Sequence, residues 1–231
     1  MVDAAHNYTL VHGTILPAVA AALVRWRYRV AAHVAMRRIR RPARPPAFAL
    51  LLLGLALPGG AAAEVREQLV TNEYAVGGDP SIPLLQLLDR ASPVREGGKT
   101  FHGYTKWTVN WRFRWRDDAG AGCRIAGNIT QIDGRMTLPR LVGGSADQRQ
   151  RFETYLQALR QHEMGHFAIA KQAGREIDAG ILALPPMRDC ASLDAAANAL
   201  GYRVLDQHLA REKQYDASTG HGRTQGAWLD R

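Results

Sequence analysis

The sequence has no apolar run long enough to span a membrane and no internal repeat among its 231 residues. Its longest apolar stretch covers about 11 residues, whereas a membrane-spanning helix needs roughly 20. It also lacks a compositional bias, because 46% of its residues are hydrophobic and 22% are charged. This composition excludes a disordered or collagen-like chain and is typical of one globular domain, or at most two small ones.

The chain has little excess charge once its first 63 residues are set aside. Those residues hold eight Arg and one acid, which leaves 22 basic and 20 acidic side chains in the remainder, a net charge of only +2. The aromatic and cationic residues at 106–116 alternate, so a strand would place rings and cations on opposite faces. Both observations exclude a nucleic-acid partner as the explanation of the overall charge of +9.

The arginine-rich start has the order of a secretory signal peptide. An Arg-rich stretch precedes the apolar segment at 47–57, which ends at Pro58 and is followed by the small residues Ala61–Ala63. We therefore expect residues 36–63 to be a signal peptide cleaved before Glu64, with residues 1–35 an extension upstream of the true start. The mature domain would be 64–231, periplasmic or secreted, with no stable membrane anchor.

The sequence has only two cysteines, Cys123 and Cys190, and both lie in the part that we expect to be exported. An even pair of cysteines outside the reducing cytoplasm favours a disulfide over two buried thiols. The sequence therefore predicts a Cys123–Cys190 bridge.

The mature chain divides into a β-rich first half and a helical second half. The turn dipeptide Asp133-Gly134 predicts that the last β segment folds as a hairpin. Ser145 and Gln148 have the spacing of a capping box, which predicts the start of a long helix. Expected strands cover 68–76, 99–116 and 123–138, and expected helices cover 82–88, 145–182 and about 193–215.

The long helix contains His162-Glu163-Met164-Gly165-His166, which matches the H-E-x-x-H pattern. Residues four apart project from one helix face, so His162 and His166 can offer ring nitrogens to one Zn²⁺. Glu163 beside them can serve as a general base towards water. The competing interpretation is an exposed polar helix face. Gly165 is costly in a helix, which indicates that another group approaches closely there.

A catalytic zinc ion takes three protein ligands, so a third must come from elsewhere in the chain. His208, Glu212 and Asp216 follow one another at intervals of four in the last helical segment, and Glu212 with Asp216 forms an E-x-x-x-D pair. Charged residues at this spacing are more often a solvated helix face. His221 lies in the glycine-punctuated loop that follows. These four residues are the candidates that the sequence offers.

The combination of these features resembles the bacterial predicted secreted zinc-dependent proteases, which form family 922 among the domains of unknown function (DUF922). The resemblance covers nearly the whole mature chain. It rests on the signal peptide, the Trp-rich strand, one Cys on each side of the helix, His162-Glu163-x-x-His166 and Tyr215-Asp216-x-x-Thr219-x-His221-Gly222-x-x-Gln225-Gly226.

The resemblance implies an α+β zincin-like fold with a twisted, mostly antiparallel sheet packed on the H-E-x-x-H helix and a C-terminal helix. It implies one Zn²⁺ per chain on His162 and His166, with Glu163 as catalytic base, and it favours Asp216 or His221 as the third ligand. We expect His221, because imidazole is the commonest zinc ligand, with Asp216 orienting a ligand from behind.

The expected activity is hydrolysis of a peptide or protein substrate bound beside a strand. Tyr215 is the expected oxyanion donor. The alternatives are a periplasmic binding or envelope-assembly module with structural zinc, and a zinc amidase acting on peptidoglycan peptides.

Overall fold

The computed structural model describes residues 2–6, 62–118 and 120–230 of the chain. They form a mixed α+β fold with a small sheet and three α-helices. The strands are β1 (Val2–His6), β2 (Ala62–Gly78), β3 (Val94–Glu96), β4 (Lys99–Phe101), β5 (Tyr104–Asp118) and β6 (Gly122–Gly143). The helices are α1 (Leu84–Ala91), α2 (Ala146–Leu182), α3 (Cys190–Thr219) and a short 3₁₀ turn at Arg223–Gln225.

The main sheet has the strand order β1-β5-β6-β2. β5 pairs antiparallel with β1 and with β6, whereas β2 pairs parallel with β6 along its whole length. The expectation of a mostly antiparallel sheet is therefore correct for two of the three pairings. β3 and β4 form a separate two-stranded hairpin that leads directly into β5.

The alternation in β5 produces the expected buried face. Trp107, Val109, Trp111 and Phe113 are buried against α2 and α3, while Arg112 and Arg114 are exposed. An aromatic side chain buries a large apolar area, so this face supplies much of the driving force for packing the sheet on the two helices.

The predicted hairpin at 123–138 is wrong, because β6 runs unbroken from Gly122 to Gly143. Asp133 and Gly134 lie within the ladder, opposite Thr108 and Trp107 of β5. A Cβ atom at Gly134 would lie 2.6 Å from the ring of Phe167 on α2. This glycine therefore permits close packing of the helix on the sheet rather than a chain reversal.

α2 begins at the residue that its capping pattern indicates. The Ser145 side chain accepts a hydrogen bond from the Gln148 N–H, and the Gln148 side chain accepts one from the Ser145 N–H, which confirms the capping box.

The Asp189 side chain caps α3 by accepting a hydrogen bond from the Ser192 N–H, and α3 begins at Cys190, three residues before its predicted start at about Leu193. α3 ends at Gly220, which has the left-handed conformation that favours glycine. It extends four residues beyond the predicted end at about Tyr215, so Asp216 is helical.

The predicted disulfide is confirmed between Cys123 of β6 and Cys190, the first residue of α3. Backbone hydrogen bonds between Cys123 and Met187 run alongside the bridge in both directions. The covalent link therefore fixes the start of α3 to the sheet.

No helix in the described part of the chain is long and apolar enough to cross a membrane. The apolar segment of the predicted signal peptide lies outside the described residues, and β2 begins two residues before the predicted cleavage site. The predicted extension at 1–35 contributes one described strand, β1, beside β5. The predicted boundaries at 35 and 63 stay predictions.

Replacing both cysteines by Ser is expected to destabilise the oxidised protein by roughly 2–5 kcal/mol, because the bridge closes a loop of 67 residues in the unfolded chain. Urea unfolding with and without dithiothreitol measures the effect. The reductant should lower the stability of the wild type and leave the Cys123→Ser/Cys190→Ser protein unchanged. Equal stability of the two oxidised proteins would contradict this prediction.

Candidate metal centre

The H-E-x-x-H segment lies in the middle of α2, on the side that faces α3 and the start of β5. His162, Glu163 and His166 are all buried, with 3 to 4% of each residue exposed. The interpretation of this segment as a solvated helix face is therefore wrong. The helix spacing places both imidazoles on one face, one turn apart, as the sequence indicates.

Three side-chain atoms converge at this face. Nε2 of His162 lies 3.3 Å from Nε2 of His166. Oδ1 of Asp216, on α3, lies 3.3 Å from Nε2 of His162 and 3.0 Å from Nε2 of His166. Two ligands held at about 2.0–2.1 Å by a tetrahedral zinc ion are about 3.3–3.4 Å apart, so this donor set fits zinc in both chemistry and spacing.

Each histidine uses its other ring nitrogen on a partner behind the cluster. Nδ1 of His162 lies 2.9 Å from the amide oxygen of Gln225, and Nδ1 of His166 lies 3.0 Å from a carboxylate oxygen of Glu212. Because these oxygens accept hydrogen bonds, both Nδ1 atoms carry the proton and both Nε2 atoms can bind a cation. Such partners fix ring orientation and raise ligand basicity.

The surrounding carboxylates also change the proton affinity of His166. Burial lowers the pKa of His166, but hydrogen bonds to Asp216 and Glu212 outweigh burial and raise it to about 10. The cluster therefore favours a positive charge between the two carboxylates. A divalent cation at the three donors would take the place of that proton.

Glu163 lies beside the cluster in a confined position. Its backbone carbonyl accepts a hydrogen bond from the Thr105 hydroxyl of β5 at 3.1 Å. A Cβ atom at Gly103 would lie 2.6 Å from Oε1 of Glu163, so a side chain at this position would displace the Glu163 carboxyl. Burial raises the pKa of the Glu163 carboxyl, with His166 opposing the shift. Among the described residues, Oε2 of Glu163 has no hydrogen-bond partner.

These groups line a cleft of about 300 Å³. One wall is formed by residues from the β4–β5 junction and the other by the loop after α3. We call this space the cleft; its lining includes Phe101, His102, Tyr104, Tyr155, His162, Glu163, His166, Asp216, His221, Arg223 and Trp228. The cleft therefore presents the three metal donors and the Glu163 carboxyl to one shared space.

The sequence-based role of Tyr215 does not fit its position. Its hydroxyl donates to the backbone carbonyl of His162 at 3.1 Å, and its ring stacks on the His162 imidazole at 5.0 Å between centroids. Tyr215 is absent from the residues that line the cleft. It therefore supports His162 from behind rather than pointing at a substrate. It is also the group that approaches Gly165, where an added Cβ would lie 2.1 Å from its hydroxyl.

His221, the third ligand expected from the sequence, lies at the edge of the cluster. Its Nδ1 is 3.5 Å from Oδ2 of Asp216, its side chain is half exposed, and its ring packs on Phe101. The three residues whose ligand atoms lie within 4.8 Å of one another are His162, His166 and Asp216. The geometry therefore favours Asp216, the runner-up, over His221.

His208, another of the four candidates, does not reach the cluster. It is fully buried and its Nε2 contacts a carboxylate oxygen of Glu176 at 2.9 Å. Glu212, one turn further along α3, does reach the cluster, but as the partner of His166. The i, i+4 spacing of Glu212 and Asp216 thus directs both carboxylates at one histidine.

The sequence model of a family described as "Bacterial protein of unknown function (DUF922)" matches residues 71–222. This match covers well over half of the chain and includes every residue of the cluster. The chain belongs to the DUF922 family. Neither the curated proteins nor the solved structures contain a match.

In this DUF922 chain, the sequence alone predicts no role for two residues that support the cluster. Gln225 appears in the closing motif, but an amide gives no chemical signal that it will orient a histidine. Gly103 follows a short hairpin, and only the packed structure shows that the Glu163 side chain occupies the space beside it. Gly165 did carry a signal, because a glycine in mid-helix is unfavourable unless close approach requires it.

Gly165→Ala is expected to destabilise the protein by about 1–3 kcal/mol through overpacking, although Ala favours a helix by about 1 kcal/mol over Gly. The added Cβ would collide with Tyr215. Urea unfolding of Gly165→Ala, Tyr215→Ala and the double variant forms a double-mutant cycle. The double variant should lose less stability than the sum of the single variants. Simple additivity would show that Tyr215 is not the group that excludes a side chain.

Proposed function

We propose that this protein is an exported zinc-dependent metallopeptidase that hydrolyses peptide bonds in its cleft. The observation that carries the proposal is the convergence of His162, His166 and Asp216 at spacings that fit zinc, beside the buried carboxyl of Glu163 in the same cleft. The Cys123–Cys190 disulfide supports export, because such bonds persist in oxidising compartments.

The metal would be held by Nε2 of His162, Nε2 of His166 and a carboxylate oxygen of Asp216. Zinc in such a site lowers the pKa of water to about 7 and polarises a carbonyl group. Gln225 and Glu212 hold the two imidazoles in the required orientation, and Tyr215 supports His162 through its ring and hydroxyl. Three protein ligands leave a fourth position open to water, which is the arrangement of catalytic rather than structural zinc sites.

Glu163 would accept the proton of the attacking water and then deliver it to the nitrogen of the leaving amine. Its position suits this role, because Gly103 and Thr105 confine the residue while one carboxyl oxygen has no partner among the described residues. The carboxyl is therefore held ready to bond a water or an amine rather than a neighbouring side chain.

The start of β5 offers a place for the substrate backbone. Thr105 of β5 lines the cleft, and its hydroxyl donates to the backbone carbonyl of Glu163. An extended peptide could add there as a further strand, which would place its backbone beside Glu163.

Metal content tests the ligand set. Wild-type protein dialysed against zinc is expected to retain about one ion per chain. His162→Ala and Asp216→Ala should lose it, whereas His221→Ala should retain it. Asp206→Ala, a change at an exposed aspartate of α3, is the matched control and should retain zinc. If His221→Ala lost zinc and Asp216→Ala retained it, His221 rather than Asp216 would be the third ligand. A wild-type protein that binds no zinc would refute the metal site.

Glu163→Gln tests the hydrolytic role. It is expected to retain zinc but to lower peptide hydrolysis by about 10²–10⁴-fold, because the amide cannot accept the proton. Glu153→Gln, at an exposed position of the same helix, is the control and should have wild-type activity. Casein peptides and peptidoglycan-derived peptides serve as parallel substrates, so that an amidase is distinguished from a protease. Unchanged turnover in Glu163→Gln would contradict the proposal and favour a binding module.

A further inference from the structure

A second pocket adjoins the cleft and has a different chemical character. It lies between the end of α1 and the β3–β4 hairpin, and it shares Asp89, Thr100, Phe101 and Trp228 with the cleft. A molecule in the cleft can therefore extend into it without leaving the surface. We call it the basic pocket, because its remaining lining residues are Gln86, Arg90, Arg95 and Lys99.

Arg95 is held in place by partners that leave its charge uncompensated. Its guanidinium group donates to the Thr100 hydroxyl at 2.7 Å and to the backbone carbonyl of Asp89 at 3.1 Å. Both acceptors are neutral, and they use two of the five N–H donors of the group. A guanidinium fixed in this way loses little conformational entropy when it binds an anion, because its orientation is already set.

Two further cations, Arg90 and Lys99, add to the positive charge of Arg95 in the basic pocket. Among the described residues, neither Arg90 nor Lys99 forms an ion pair, and both are exposed. Asp89 is the one carboxylate that lines the pocket, and its Oδ1 is hydrogen-bonded to Nε2 of His102 at 2.9 Å. Three cations around one carboxylate give the pocket a positive potential, although the chain after residue 63 has a net charge of only +2.

Phe101 and Trp228 mark the border between the two spaces. Trp228 is 51% exposed, and its ring packs under the guanidinium of Arg223 at 4.0 Å from the ring centroid. Arg223 lines the cleft itself. The border therefore offers aromatic surface and a further positive charge to a chain that passes from the cleft to the basic pocket.

From this arrangement we infer that the basic pocket binds a carboxylate of the substrate, so that the preferred substrates are peptides with an acidic group near the cleaved bond. The inference rests on the proposed peptidase function and adds a substrate class to it. The carboxylate can belong to an Asp or Glu side chain or to the C-terminus of the peptide. Both present the planar pair of oxygens that a fixed guanidinium binds through two parallel hydrogen bonds.

Peptide binding to zinc-loaded Glu163→Gln protein tests the inference without requiring turnover. The probes are short fluorescein-labelled peptides with one Glu at successive positions, matched peptides with Gln, and both sets with free and amidated C-termini. At least one Glu peptide, or one with a free C-terminus, is expected to bind about tenfold more tightly than its neutral match. The preference should weaken as NaCl rises from about 0.05 M to about 0.5 M.

Variants in the same background locate the preference. Arg95→Gln should abolish it, and Arg90→Gln and Lys99→Gln should each reduce it without disturbing a hydrogen bond of the hairpin. Arg203→Gln, an exposed change on α3, removes the same charge elsewhere and should leave it intact. Thermal unfolding confirms that each variant is folded.

Equal binding of acidic and neutral peptides would overturn the inference and leave the peptidase proposal standing. Equal losses in Arg95→Gln and Arg203→Gln would also overturn it, because they would show a non-specific effect of charge. An acidic preference that depends on Arg95, in a protein whose wild type cleaves no peptide, would support the basic pocket and overturn only the proposed hydrolysis. Failure of every peptide to bind would overturn both.

Discussion

The contact between α2 and α3 places the buried carboxylate of Glu212 and the partly buried carboxylate of Asp216 against one histidine, and the whole site depends on that contact. Glu212 and Asp216 are one turn apart on α3, and both reach His166 of α2. Removing carboxylates from water is costly unless cations and hydrogen bonds compensate for the lost hydration. The site therefore needs positive charge, which a proton on His166 supplies in the absence of a metal and which a divalent ion would supply more fully.

The neighbouring elements keep this charged contact in register. Tyr215 fits against α2 only because residue 165 is Gly, and the turn after α3 brings Gln225 back to His162. Gly222 has a positive φ, and a Cβ atom added there would lie 3.0 Å from Cγ of the His162 ring. The loop after α3 is thus part of the histidine environment and not merely a connection, which explains why the closing motif of the sequence and H-E-x-x-H belong together.

Local patterns in the sequence predicted the features that depend on neighbours in the chain. The S-x-x-Q spacing predicted the capping box at Ser145. Strand periodicity predicted the buried face of β5, and helix periodicity placed His162 and His166 on the same face of α2. The turn at Asp133-Gly134 was misread because a glycine that admits Phe167 has the same local signature as a glycine in a turn. The choice of His221 failed to match the geometry for a related reason. The helix continues past Asp216, and only the packing of α3 on α2 shows that its carboxylate lies within 3.3 Å of Nε2 of both imidazoles.

The disulfide and the charged cluster lie at opposite parts of α3. Cys190 is its first residue and Asp216 is 26 residues later, which corresponds to about 39 Å along a helix. A helix that is held at two distant points can neither slide along its neighbour nor rotate about its own axis. The disulfide at the start of α3 therefore helps to fix the position of the Asp216 and Glu212 carboxylates near its other end, although the cysteines lie far from both.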